Sequence, residues 1–319
     1  MAESLIEPFT PQNTTIMMVD YSVGFVNTFR SHNVSEHISA TVALAKTALG
    51  LHSGLVVNLA GFLILGAVSV AGLSVAFPLS FGVALVVSAI WGAASGSPGG
   101  ANLWIGVVLV TIAVIVNAIA WLLDAPTRQP TSVEDPPPVR RGVRAPVKRK
   151  TRRPGGAKAV WLSVSAGILM GAFFPLVTWA RVGDNGLGPY SLAVLISAAV
   201  FVSTFIYNIY FLNLPVQGES LGMARYFTGT RKHHVLGLLG GVIWCAGLLA
   251  VLAEQSAPRH VQPGPILTFG LIQATPLLAA LWGIFAWKEF QGAGAAVKAM
   301  LAAMFLLFAA GVVLVARAG

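Results

Sequence analysis

From Ser53 onward, apolar runs of about 20 residues alternate with short polar breaks. Spans are predicted at about 53–73, 75–95, 102–123, 159–180, 190–212, 234–253, 265–287 and 296–316. Each is long enough to cross a hydrocarbon core of about 30 Å at a helical rise of about 1.5 Å per residue. All are expected to be helices, because lipid offers the backbone no hydrogen-bond partner. The breaks are rich in Gly, Pro and Ser, as in SGSPGG at 95–100 and GDNGLGP at 183–189. Small residues recur inside the spans, among them Gly54, Ala60, Gly61, Gly167, Gly171, Gly237, Gly240 and Gly241, and permit close helix contact.

Before Ser53 the pattern is weaker. Residues 14–29 are moderately apolar, short, and contain Asp20. Residues 31–36 are polar, and 40–50 form a short Ala-rich helical stretch with Lys46. Neither stretch is expected to span by itself. Residues 1–13 have no basic n-region and no apolar h-region, so no signal peptide is predicted.

Composition agrees with the pattern. The 319 residues are 56% hydrophobic and only 10% charged, with a mean hydropathy of +0.78, against about 25% charged residues in a soluble protein. This is the composition of a polytopic membrane protein. The formal net charge of +9 could point to nucleic acid. Its distribution argues otherwise, because half of the 20 basic residues lie in one segment, 128–158, between hydrophobic spans. Such a cluster reads as a cytoplasmic loop beside anionic lipid, and no nucleic-acid partner is expected. Arg225, Arg231, Lys232 and Lys288 fall on the same side as that loop, which places the C-terminus outside. The lone Cys245 sits in an apolar run; it can form no internal disulfide and belongs to no Cys/His metal spacing. No metal and no cofactor are expected.

The chain carries an internal repeat. VAFPLSFGVALVVSAIWG at 75–92 lies under ILTFGLIQATPLLAALWG at 266–283, and both end in Trp-Gly, at Trp91-Gly92 and Trp282-Gly283. The same offset places the span at 102–123 under the span at 296–316. The division that follows is a first transmembrane repeat at 1–123, a basic Pro-rich linker at 124–158, and a second, five-helix repeat at 159–319. A duplicated five-span unit is the layout of many transporters, whose solute site lies at the repeat interface near mid-membrane.

Several strings then resemble one family together. They are Asp20-Tyr21-Ser22-Val23-Gly24, Gly72-Leu73-Ser74-Val75-Ala76-Phe77-Pro78, Leu187-Gly188-Pro189-Tyr190, and the run from Ala274 to Phe290 that ends LWGIFAWKEF. The chain resembles the drug/metabolite transporter superfamily, and within it the ureide-permease-like branch and its bacterial relatives. The resemblance implies an all-α fold of ten helices in two inverted five-helix repeats, a central cavity, and alternating-access transport of small polar solutes such as ureides or nucleobases. This chain departs from that pattern at its start, where the first helix is missing. The expectation is therefore 8–10 transmembrane helices with an incomplete first repeat, in a cell membrane of the bacterial inner-membrane type.

No Asp, Glu or His stands in the middle of a strong span. The interior is uncharged but dotted with polar side chains, which suits a neutral solute that needs hydrogen-bond partners rather than counter-ions. The candidate solute-binding residues are Asn58, Asn117, Gln273, Thr275, Trp282 and Asp20. Gln273 and Thr275 flank a helix interruption at Pro276, a device transporters use at their sites. The commoner role of Asn, Gln and Thr in a membrane is a helix–helix hydrogen bond. Trp282 could stack on a planar solute, although such rings more often pack or anchor. Asp20 faces a cavity if its segment spans, and water if it is a loop. Lys288 and Glu289 read as an interfacial pair at the end of their helix. No catalytic constellation occurs: there is no GxSxG, no HExxH and no paired intramembrane carboxylates, so no enzymatic activity is expected. Two alternatives stay open, a sugar or multidrug transporter of the same fold and a non-transporting, truncated membrane relative.

Overall fold

The computed structural model describes residues 34–95, 100–124, 156–183, 185–220, 222, 224–261 and 265–318. Asp20, the segment at 14–29 and residues 125–155 of the basic linker lie outside them. Every regular element among the described residues is helical. The helices are α1 (Val34–Ala71), α2 (Leu73–Ala94), α3 (Ala101–Asp124), α4 (Gly156–Arg181), α5 (Pro189–Asn213), the short α6 (Ala224–Phe227), α7 (Arg231–Glu254), α8 (Pro265–Phe285) and α9 (Ala295–Ala316). A 3-10 turn at Arg259–Val261 precedes α8. Seven of them (α1 to α5, α7 and α9) are long and apolar enough to cross a membrane, and the chain is an integral membrane protein. In α8, residues Gly270–Phe285 form a shorter apolar helix.

One boundary differs from the sequence pattern. The Ala-rich stretch at 40–50 and the span predicted from Ser53 are a single helix, α1, of 38 residues. The polar residue at the expected start does not break it, because the Ser53 hydroxyl donates to the Leu49 carbonyl one turn back (2.8 Å). The glycines there serve contact rather than a turn. A Cβ on Gly54 would stand 2.6 Å from the Ala199 Cβ on α5.

The described helices fall into two compact units. The first takes in the described residues up to Leu59, together with Ala172–Leu214 and Ser220–Pro263. Its core is a stripe on α5, Leu192, Ile196, Ala199 and Ser203, at helical spacing. Lys46 on α1 donates to the carbonyls of Trp179 and Val182 at the end of α4. In α7 only Leu252 is buried; the helix is apolar all round, as lipid-facing helices are.

The second unit takes in Ala60–Gly171, Pro215–Glu219 and Gly264–Gly319. Here α3 and α9 cross at two glycines: a Cβ on Gly106 would meet the Gly311 carbonyl oxygen at 2.6 Å, and one on Gly311 would meet the Gly106 carbonyl oxygen at 2.8 Å. Gly167 and Gly171 seat α4 on Ser80, Val83, Ala84 and Val87 of α2. With no hydrophobic effect to drive helices together in lipid, such backbone approach is the main source of packing energy. Val110, Met304, Phe308, Leu79 and Ala280 fill the space between α2, α3, α8 and α9.

Candidate functional site

Three span helices have a proline in their interior: Pro78 in α2, Pro175 in α4 and Pro276 in α8. Each lacks an N–H, so each frees the carbonyl four residues earlier. Those carbonyls belong to Ser74, Gly171 and Ile272. In lipid a freed carbonyl needs a donor from elsewhere.

Two of the three find one across a helix contact. Asn117 on α3 donates from Nδ2 to the Ser74 carbonyl (3.3 Å) and the Val75 carbonyl (3.4 Å). Ser88 donates from Oγ to the Gly171 carbonyl (3.1 Å). The first turn of α2 is also held at its N–H groups. The Glu289 carboxylate accepts from Leu73 N (2.6 Å), Ser74 N (2.8 Å) and the Ser74 hydroxyl. A negative group at a helix N-terminus is favourable on both hydrogen-bond and dipole grounds. Glu289 fits there because Gly72 and Gly283 have no side chains: a Cβ on either would come within 2.7 Å of its carboxylate. Gly72 also has φ +91°, a conformation that suits glycine. Glu289 therefore caps α2 rather than the end of its own helix, and Lys288 beside it is exposed with φ +54°.

The third carbonyl is different. No side chain among the described residues donates to Ile272. The next residue, Gln273, is buried, and its Oε1 has no hydrogen-bond partner. Four more buried side-chain atoms lack a partner: Ser80 Oγ, Asn117 Oδ1, Trp121 Nε1 and Ser163 Oγ. All five belong to the second unit. They come from four helices, α2, α3, α4 and α8.

Packing fixes the level of three of them. Asn117 meets α2 at Ser74 and Val75. Ser80 touches Gly167 of α4 through its carbonyl, and Ser163 is one turn before Gly167 on the same face. These three therefore lie within about two helical turns along α2. The Asn117 amide orientation follows from its contacts, since two carbonyls require the NH₂ and leave Oδ1 as the unpaired acceptor. The set then offers two amide oxygens as acceptors, one indole N–H as donor, and two hydroxyls that do either. None of the five is ionisable. Leaving one such group unpaired costs about 1–3 kcal/mol.

The structure separates the candidates read from sequence. Asn117 and Gln273 are both buried in the second unit with an unpaired amide oxygen. Asn58 lies in the first unit, where its Nδ2 donates to Ser203 Oγ (2.7 Å), Val200 O (3.1 Å) and Thr204 Oγ1 (3.1 Å), a link between α1 and α5. Thr275 is exposed, two residues round the helix from Gln273. Trp282 is 62% exposed. Asp20 is outside the described residues. Sequence reasoning passed over Ser80, Trp121 and Ser163, and the cap formed by Glu289. The proline rule was a usable signal for the Ser74 and Gly171 carbonyls, since it names them before any partner is known. No metal-holding group of His, Cys, Asp and Glu occurs among the described residues. No protein-family model, curated protein or solved structure matches this chain.

Proposed function

We propose that this chain is a multi-pass transporter that moves a small, neutral, polar solute across the membrane by alternating access, with Gln273 and the Pro276 interruption of α8 contacting the solute. The observation that carries this reading is the buried Gln273 Oε1, unpartnered beside the one freed carbonyl that no side chain repairs. Two adjacent acceptors suit a solute with N–H or O–H donors. The nearby Asn117 oxygen, serine hydroxyls and Trp121 N–H extend the same chemistry without charge. Ureides and nucleobases, which alternate N–H and C=O, fit this inventory. The family resemblance adds two inverted repeats as the frame and a cell membrane of the bacterial inner-membrane type as the setting.

The test is uptake of radiolabelled allantoin and uracil into cells expressing the chain, beside Gln273→Leu expressed to the same level. The expected result is saturable uptake that falls at least tenfold in the variant and is blocked by ureides or pyrimidines alone. Blocking by hexoses or lipophilic cations would assign the same fold to those solutes. Absence of uptake of any of these from well-inserted protein would overturn the proposal.

A further inference from the structure

A second site lies in the first unit, at the end of α4, and does not depend on the transport reading. A cavity of about 440 Å³ opens there, lined by Thr178, Arg181, Gly188, Pro189, Gln255 and Ser256 among others. Arg181 is the last residue of α4. Its guanidinium donates from one terminal nitrogen to Gln255 Oε1 and from the other to Ser256 Oγ (2.6 Å). The Ser256 hydroxyl itself donates to the Leu252 carbonyl (2.9 Å) and so has a lone pair to give. Both partners are neutral, so they orient the guanidinium without cancelling its charge. They use two of its five N–H groups.

The opposite wall is the start of α5. This helix of 25 residues has Gly188 at its N-cap, with no side-chain cap, and Pro189 in its first turn. Its N-terminal N–H groups bring a partial positive charge to the same cavity. Among the described residues no carboxylate lines it. Exposed Trp179 and Tyr190 flank it, which is the position of aromatic residues at a membrane boundary. The cavity is thus preformed, cationic, rich in donors, and at headgroup depth.

We propose that this cavity binds an oxyanion of the phosphate class, held by Arg181 and the N-terminus of α5. The geometry serves a lipid headgroup phosphodiester and a free phosphate alike, because a planar guanidinium pairs with either.

Native mass spectrometry of the full chain in detergent tests this, with phosphatidylglycerol, phosphatidylcholine and inorganic phosphate as probes. Wild type is expected to retain one phosphate-bearing molecule at least tenfold more tightly than Arg181→Gln. Because that variant also unhooks Gln255 and Ser256, a second one is needed. Thr178→Glu leaves the Arg181 hydrogen bonds in place and puts a carboxylate at the exposed rim of the cavity. It should lose the bound molecule to the same extent while the melting temperature stays that of wild type. Retention of lipid in the presence of millimolar inorganic phosphate assigns the site to the headgroup. Displacement by phosphate, or binding of phosphate alone, assigns it to the free ion. Equal retention of every probe by wild type and both variants would overturn the proposal.

Discussion

Ser74 shows how much one residue can organise in a membrane. Its N–H and hydroxyl go to Glu289, and its carbonyl, freed by Pro78, goes to Asn117. Every polar group it has is satisfied by a side chain from another element. The cause is local and the remedy distant: a proline removes one donor, and a residue 43 positions away replaces it. This gives a prediction at the scale of the pair. Asn117→Leu should cost about 0.6–1.7 kcal/mol, the measured range for hydrogen bonds between membrane helices. In a Pro78→Ala background the helix regains its own N–H, so the same substitution should cost less than half as much. A double-mutant cycle of unfolding free energies in micelles reads this directly. Equal costs in both backgrounds would show that Asn117 does not serve the freed carbonyl.

Helix α4 shows the same logic at the scale of an element. It is seated on α2 by Gly167 and Gly171, four residues apart, so both present to one face. A Cβ on Gly167 would stand 2.5 Å from the Ser80 carbonyl oxygen, which cannot rotate away as a side chain would. Gly167→Leu should therefore destabilise the protein by about 1–3 kcal/mol, the ordinary cost of overpacking, with a fall in melting temperature. Gly240→Leu on α7 is the control, since open space surrounds that position, and it should leave the melting temperature within experimental error. If both variants melt alike, the glycine contact carries no packing energy. The glycines and the spans were legible in the sequence, because length and small-residue spacing are properties of one helix alone. The start of α1 was not, because Gly50, His52 and Ser53 look like a break until α5 is placed against them. Which polar residues share a face was only half legible. Gln273 and Thr275 are two positions apart, about 200° round a helix, so periodicity alone separates them. For Asn58 and Asn117 periodicity says little, since helices apolar on all sides carry no stripe that fixes which face meets a neighbour.

For the molecule as a whole, the two packing units cut across chain order. In the second unit α2 and α3, from before residues 125–155, pack with α8 and α9, from after it. In the first, residues of α1 pack with α5 through Gly54 and Asn58. Neither unit can be completed from one side of that segment. The repeat pattern in the sequence divides the chain at the linker, because sequence periodicity records likeness along the chain and says nothing about which spans pack together. Contacts of this kind should hold without a covalent connection. A chain cut between residues 125 and 155 and expressed as two pieces should reassemble, with a tag on one piece recovering the other from the membrane at close to equal amounts. Gly106→Leu in the N-terminal piece should then lower recovery severalfold, because a Cβ at that position meets the Gly311 carbonyl where α3 and α9 cross. Independent purification of each piece in a folded state would contradict this, since it would mean that α3 and α9 do not need each other.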